Sequence, residues 1–145
     1  MTTVINEPNQ IREALFTPGT WAVVGLSANS RRTAHRIAEW LEDTLGHTII
    51  PVHPAAETVL GNEGYAKLAD IPDGTQVDVV DFFVRSELVG VVVDEAIAEK
   101  ARLGIRMVWL QLGVIDEEAA ERAAAAGLEV VMDTCPKIEY PRLRS

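Results

Sequence analysis

Only one cysteine, Cys135, stands in the 145 residues, so no internal disulfide can form. That fits a reducing compartment. Basic residues are scarce: 13 Lys and Arg face 22 Asp and Glu, for a net charge of −9. A general nucleic-acid binder needs a basic face to displace counterions, and this composition excludes one. The apolar runs are too short to span a bilayer. Residues 1–19 are polar and carry acidic and proline positions where a secretory signal would be apolar, which makes the cytoplasm the expected location, with no membrane contact. Three histidines, His35, His47 and His53, and the lone cysteine show no metal-ligand spacing, so no metal is expected. There is no Gly-x-Ser-x-Gly elbow and no Ser/His/Asp set in a recognisable context, so no catalytic residue is assigned. Repeats, low-complexity tracts and linkers are lacking too.

What the chain does have is apolar content, 48% of its residues, at a length expected for a single domain, 1–145. The pattern alternates. A short leading helix spans about 8–16, with Pro8 in its first turn. Apolar runs at 20–25, 47–52, 77–83, 105–110 and 128–132 read as buried strands. Between them lie amphipathic stretches at 33–45, 87–103 and 117–126, with one or two helical turns at 65–70. Ser86 and Asp116 are candidate N-caps. The tail, 133–145, has no clear pattern. Five strands alternating with helices define an α/β, Rossmann-like, doubly wound parallel sheet with helices on both faces. The expected strand order is 3-2-1-4-5, with a ligand crevice at the switch point between strands one and four.

The most informative segment is Thr20-Trp21-Ala22-Val23-Val24-Gly25-Leu26-Ser27-Ala28-Asn29-Ser30-Arg31-Arg32-Thr33: strand, small polar turn, helix start. Backbone N–H groups at a helix start have no intrahelical partner, and the helix dipole favours an anion there. Gly25 allows close backbone approach. Ser27, Asn29 and Ser30 offer donors to a pyrophosphate, and Arg31 or Arg32 supplies a charge. The second strand ends in Val52-His53-Pro54. An Asp or Glu there would suit the ribose hydroxyls of NAD; its absence suits a ligand with a further phosphate, to which His53 could donate. Phe82, Phe83, Val84 and Arg85 follow strand three and flank the crevice. Gln111 and Gly113 lie on its floor, and Cys135 on the same rim after strand five. Plainer readings exist for several neighbours. Arg36 and His35 read as solvated helix positions, His47 as the start of a strand, and Arg85 as an equal candidate for a surface pair with Glu87. Trp21, Trp40 and Trp109 read as core or interface residues, and Asp81 as a loop anchor.

The strings Val24-Gly25-Leu26-Ser27 with Arg31-Arg32, Ile50-Pro51-Val52-His53-Pro54, Leu68-Ala69-Asp70-Ile71-Pro72 and Val77-Asp78-Val79-Val80-Asp81-Phe82 form an ordered set. Trp109-Leu110-Gln111-Leu112-Gly113 and Met132-Asp133-Thr134-Cys135-Pro136-Lys137-Ile138-Glu139 complete it. Together they resemble the small CoA-binding proteins of bacteria, which are similar to the CoA-binding domain of the succinyl-CoA synthetase α subunit. The resemblance covers about 20–140. It implies a Rossmann-like fold that binds coenzyme A or an acyl-CoA, often without an assigned catalytic role. Two departures stand out. Ala55-Ala56 follow His53-Pro54 where relatives often carry Lys or Arg, and Thr134 stands where they often carry Arg. The synthetase's phosphorylated histidine lies in a second domain that this chain does not contain.

The expectation is therefore a CoA-binding module with no evident catalysis of its own. The alternative is an NADP-dependent or redox-sensing nucleotide binder. A partner protein or a second copy of the chain is left open. Cys135 raises a further expectation: facing the ligand thiol, it would form a mixed disulfide on oxidation.

Overall fold

In the computed structural model, which describes residues 3–144, the five apolar runs pair as parallel strands. They are β1 (Thr20–Val24), β2 (Thr48–Val52), β3 (Val79–Phe82), β4 (Met107–Leu110) and β5 (Glu129–Met132). Every residue of β3 and β4 is buried. Strands covered on both faces read as continuous apolar runs, which is why no polar alternation marked them. Met1, Thr2 and Ser145, the ends of the expected domain, lie outside the described residues.

Helices cover both faces. On one face α3 (Ser86–Leu103) and α4 (Glu117–Ala125) bury Val89, Val93, Ala96, Ala119 and Ala123 over Ala22, Val80, Val108 and Val130. A single 3-10 turn at Leu68–Asp70 joins this layer through Leu68. On the other face α1 (Pro8–Phe16) and α2 (Thr33–Asp43) bury Ile11, Leu15, Ile37 and Leu41 over Trp21, Val23, Trp109 and Val131. The local signals act as expected at several ends. Pro8 opens α1, Asp116 accepts from Ala119 N–H to cap α4, and Gly104 closes α3. Ser86 does not cap α3. Arg85 holds the cap position without a side-chain bond, and the Ser86 hydroxyl instead joins two loops, as described below.

The fold class is as expected, and the strand order differs in one respect. It is β2-β1-β3-β4-β5: strand three lies between strands one and four, not outside strand two. The physical reason is in the sequence. Pro51 has no N–H to give to a ladder, which confines it to an edge strand. Its carbonyl faces outward and accepts from Tyr65 N–H at 3.0 Å, and His53 N–H returns a bond to Tyr65 O. A single bridge at Tyr65 thus borders β2 where a further strand was expected. Successive strands are added to one side of β1 first and to the other from β3 onward, so the switch-point crevice opens between β1 and β3, between the starts of α2 and α3.

The tail also differs from its reading. Pro136–Leu143 forms a helix, α5. Pro136 suits the first helical turn, while Pro141 and the charges hid the apolar face. Tyr140 stacks on Phe16 at 5.2 Å and meets Trp40 edge-on at 5.5 Å, which docks α5 against α1 and α2. The opposite edge of the sheet is closed by Asn6. Its side chain accepts from Met132 N–H and donates to Met132 O, and its own N–H donates to Val130 O. That pairing satisfies groups that an open edge would leave to another chain.

Candidate ligand-binding site

Beyond the carboxyl ends of β1–β5 lies a cavity of about 920 Å³. Its wall is built from five loops. Gly25, Ser27, Arg32, Thr33 and Ala34 come from the β1–α2 turn, and His53 and Pro54 from the end of β2. Ala66, Lys67 and Leu68 come from the following connection, Phe83, Val84 and Arg85 from the β3–α3 turn, and Gln111, Leu112 and Val114 from the end of β4. Cys135 contributes from beyond β5, while Leu88, Val92 and Glu95 reach in from α3.

The β1–α2 turn is shaped by backbone geometry. Gly25 has φ +97°, and a Cβ on it would sit 2.3 Å from Phe83 O. Glycine is required here by the neighbouring β3 turn itself, a constraint additional to any approach of a ligand. Asn29 Oδ1 accepts from Arg31 N–H at 3.0 Å, and Ser27 Oγ accepts from Asn29 N–H at 3.3 Å, so these side chains build the turn. Among the described residues no side chain caps α2, which leaves its first-turn N–H groups, at the cavity wall, for an anion. One carboxylate already rests on the turn: Ala28 N–H donates to Glu57 Oε1 at 3.3 Å.

Of the expected site residues, Gly25, Ser27, Arg32, His53, Pro54, Phe83, Val84, Arg85, Gln111 and Cys135 are brought together on the cavity wall. Asn29, Ser30 and Arg31 are exposed and do not line it. Arg32 is exposed too, and of the two arginines it is the one that lines the cavity. Phe82 is fully buried in the α3-side core; strand alternation turns it away while Phe83 faces the site. Gly113 does not line the cavity either. Its N–H donates to Asp133 Oδ1 at 2.8 Å and its carbonyl accepts from Ser86 Oγ, which in turn accepts from Ile115 N–H. These bonds lash the three rim loops after β3, β4 and β5 together.

His53 Nδ1 accepts from Ala55 N–H at 3.1 Å, so the proton of a neutral ring sits on Nε2, free to donate. Lys67 supplies a cation near the end of β2, where Ala55 and Ala56 do not. No motif in the sequence marked Lys67. It sits fourteen residues beyond His53, and only the Tyr65 bridge brings its segment back to the end of β2. Glu95 accepts from Leu68 N–H and so fixes the neighbouring turn. Arg85 makes no ion pair with Glu87 among the described residues.

At the other end the chemistry is buried. Asp81, in the middle of β3, is fully enclosed, and burial pushes its carboxyl up to about 8 against the lowering effect of its bond from Gln111. Gln111 Nε2 donates to Asp81 Oδ1 at 2.8 Å, and Asp81 Oδ2 has no partner among the described residues. Cys135 is half-buried; burial is the main cause that raises its thiol, and the Asp81 charge adds to it. Thr134 is structural, since its hydroxyl donates to Glu139 Oε2 and its carbonyl accepts from Trp109 Nε1. His47 lies outside the cavity, buried between α1 and the sheet. Its Nδ1 accepts from Gly19 N–H, its Nε2 meets Leu15 O, and burial lowers its pKa.

A parallel sheet with a helix N-terminus, cations and a deep crevice at its switch point defines a Rossmann-like nucleotide-binding domain. More specifically, the chain belongs to the CoA binding domain family, whose model matches residues 19–141. It is 35% identical over 131 residues to the uncharacterized protein YneT of Bacillus subtilis, covering 90% of this chain and 92% of that one. It resembles the solved structure of a hypothetical protein from Pyrococcus horikoshii OT3, with a TM-score of 0.83 and 33% identity, covering 100% of this chain and 99% of that one. A third likeness is to the dinucleotide forming acetyl-coenzyme A synthetase 1 of Ca. Korarchaeum cryptofilum, solved in complex with phosphate and ADP. There the TM-score is 0.68 at 28% identity, and the match spans 81% of this chain but 26% of the synthetase. Among the described residues, no helix is long and apolar enough to cross a membrane.

Proposed function

We propose that this chain binds coenzyme A or an acyl-CoA in the cavity at the carboxyl ends of its strands, as a binding module without catalysis of its own. The observation that carries the reading is the graded lining of one cavity. Cations and free backbone donors cluster at the β1 and β2 end, and a thiol and an amide stand at the β4 and β5 end. Coenzyme A has the same polarity, with phosphates at one end and a thiol at the other. The uncapped start of α2 and Arg32 suit the pyrophosphate. His53 Nε2 and Lys67 suit the 3′-phosphate. The half-exposed Phe83 and Val84, with Arg85, suit the pantetheine arm. Family membership, and the acetyl-coenzyme A synthetase that contains a similar domain, support the same ligand class.

The alternative, an NADP-type dinucleotide, is favoured by one observation: the residues directly after β2 are His53 and Pro54 rather than Asp or Glu, a position where a carboxylate would repel a 2′-phosphate. Native and denaturing mass spectrometry of the protein purified without added ligand separates the two. A co-purified mass of CoA or an acyl-CoA is expected. A nicotinamide dinucleotide would replace this reading with the alternative. If nothing co-purifies, calorimetric titration with CoA and NADP decides between them. The module is expected to act in the cytoplasm, with a partner protein or a second copy of itself as its context.

A further inference from the structure

Asp81 is expensive where it stands. It lies in a central strand, in register with Val23 on β1 and Trp109 on β4, fully buried and with one carboxyl oxygen unpartnered among the described residues. An apolar residue of similar size would be cheaper in that position. The one side chain it engages is Gln111, the first residue beyond β4, which is itself buried but lies on the cavity wall. The backbone of Gln111 is committed: its N–H donates to Phe82 O and its carbonyl accepts from Val114 N–H. Its Nε2 is committed to Asp81. Among the described residues nothing donates to its Oε1, and that atom is not among those sealed from solvent without a partner. The free acceptor therefore keeps solvent access, on a residue that lines the cavity.

We propose that Gln111 is the specificity-determining residue that accepts a hydrogen bond from an amide N–H of the pantetheine arm, and that Asp81 is the positioning residue that aims it. The inference rests on the coenzyme A reading above. Sheet geometry supports the placement. From the phosphate-binding turn after β1 to Gln111 after β4 is two strand spacings, about 10 Å. An extended pantetheine arm covers that span, and it carries two secondary amides. The neighbouring side chains at this end, Leu112, Val114 and Leu88, are apolar, so an amide N–H laid here finds its acceptor in Gln111. A buried donor left unpaired is what makes such a contact selective.

The test is a calorimetric comparison of two ligands, coenzyme A and adenosine 3′,5′-bisphosphate, which keeps the 3′-phosphate and the first 5′-phosphate and lacks the second 5′-phosphate and the arm. Gln111→Leu is expected to weaken CoA about tenfold and to leave the bisphosphate unchanged. Asp81→Leu is expected to show the same split. Asp81→Asn, which keeps an acceptor oxygen toward Gln111, is expected to restore CoA affinity to within about threefold of the parent. Should Asp81→Leu not fold, the Gln111→Leu and Asp81→Asn arms still decide. Equal weakening of both ligands by Gln111→Leu, or no weakening of either, overturns the assignment of Gln111. An Asp81→Asn variant as weak as Gln111→Leu overturns the positioning role of Asp81. A parent protein that binds neither ligand overturns the coenzyme A reading itself, a result distinct from the others.

Discussion

The two ends of the cavity are built on opposite principles. At the β1 and β2 end the donors are backbone N–H groups on exposed turns, and the side chains of Asn29 and Ser27 serve to shape the loop. At the β4 and β5 end the polar groups are side chains, sunk into the sheet among tryptophans and valines. The first end tolerates water and relies on conformation. The second excludes water and relies on pairing. Charge recognition works at an exposed site because full charges and a helix terminus act at short range despite screening. Recognition of a neutral arm gains only where water no longer competes for the hydrogen bond.

The comparison breaks most severely at Gly25. Replacing it with valine sets a β-branched residue at positive φ and drives its Cβ into Phe83 O. The expected cost is more than about 4 kcal/mol of stability, read by chemical denaturation. A well-folded Gly25→Val protein would mean that the turn is not held as described.

The buried end is sharpened by pH. Asp81 has its carboxyl raised to about 8 in the fold, against about 3.9 when unfolded. The folded state therefore holds the extra proton between those values. Its stabilising effect is complete below about pH 4 and is lost as pH rises toward 8. Relative to Asp81→Asn, the parent is expected to lose up to about 1.4 kcal/mol per pH unit across that window. Parallel denaturation curves for the two proteins from pH 4 to 8 would show Asp81 ionised throughout.

At the exposed end, Arg32→Ala is expected to weaken CoA by on the order of 2 kcal/mol with stability unchanged, the scale of a charge-assisted contact. Arg31→Ala, off the cavity wall, costs less. If the two variants titrate alike, the distinction between the two arginines is lost. A smaller effect tests the β2 end. CoA is expected to bind more tightly than dephospho-CoA by about 1 kcal/mol, because His53 and Lys67 offer donors at the end of β2. Equal affinities remove the 3′-phosphate from that end.

The smallest effect concerns Cys135. Burial raises its thiol, so exchange with CoA disulfide is expected to be slow at pH 7 and to quicken with pH, up to tenfold per unit while the thiolate is scarce. Intact mass follows the mixed disulfide, with free CoA thiol as the other product. A native protein that never reacts, while the denatured one does, places the thiol beyond reach of the ligand.

The local signals of this chain act where they stand. Pro8, Asp116 and Gly104 set helix ends, and the runs around Val23, Val80 and Val108 become buried strands, because caps and apolar continuity are properties of short segments. The Gly25 turn was legible for the same reason. Pro51 also carried the edge position of β2, a signal that the expected order of strands overlooked. Helix α5 stayed hidden because Pro141 and its charges break the apolar period, and its face exists only against Phe16 and Trp40. The tertiary structure alone decided which arginine lines the cavity, that Lys67 returns to the end of β2, and that Gln111 meets Asp81 thirty residues away. Each of these depends on strand register and loop closure, which bring distant residues within hydrogen-bond range and which no local pattern encodes.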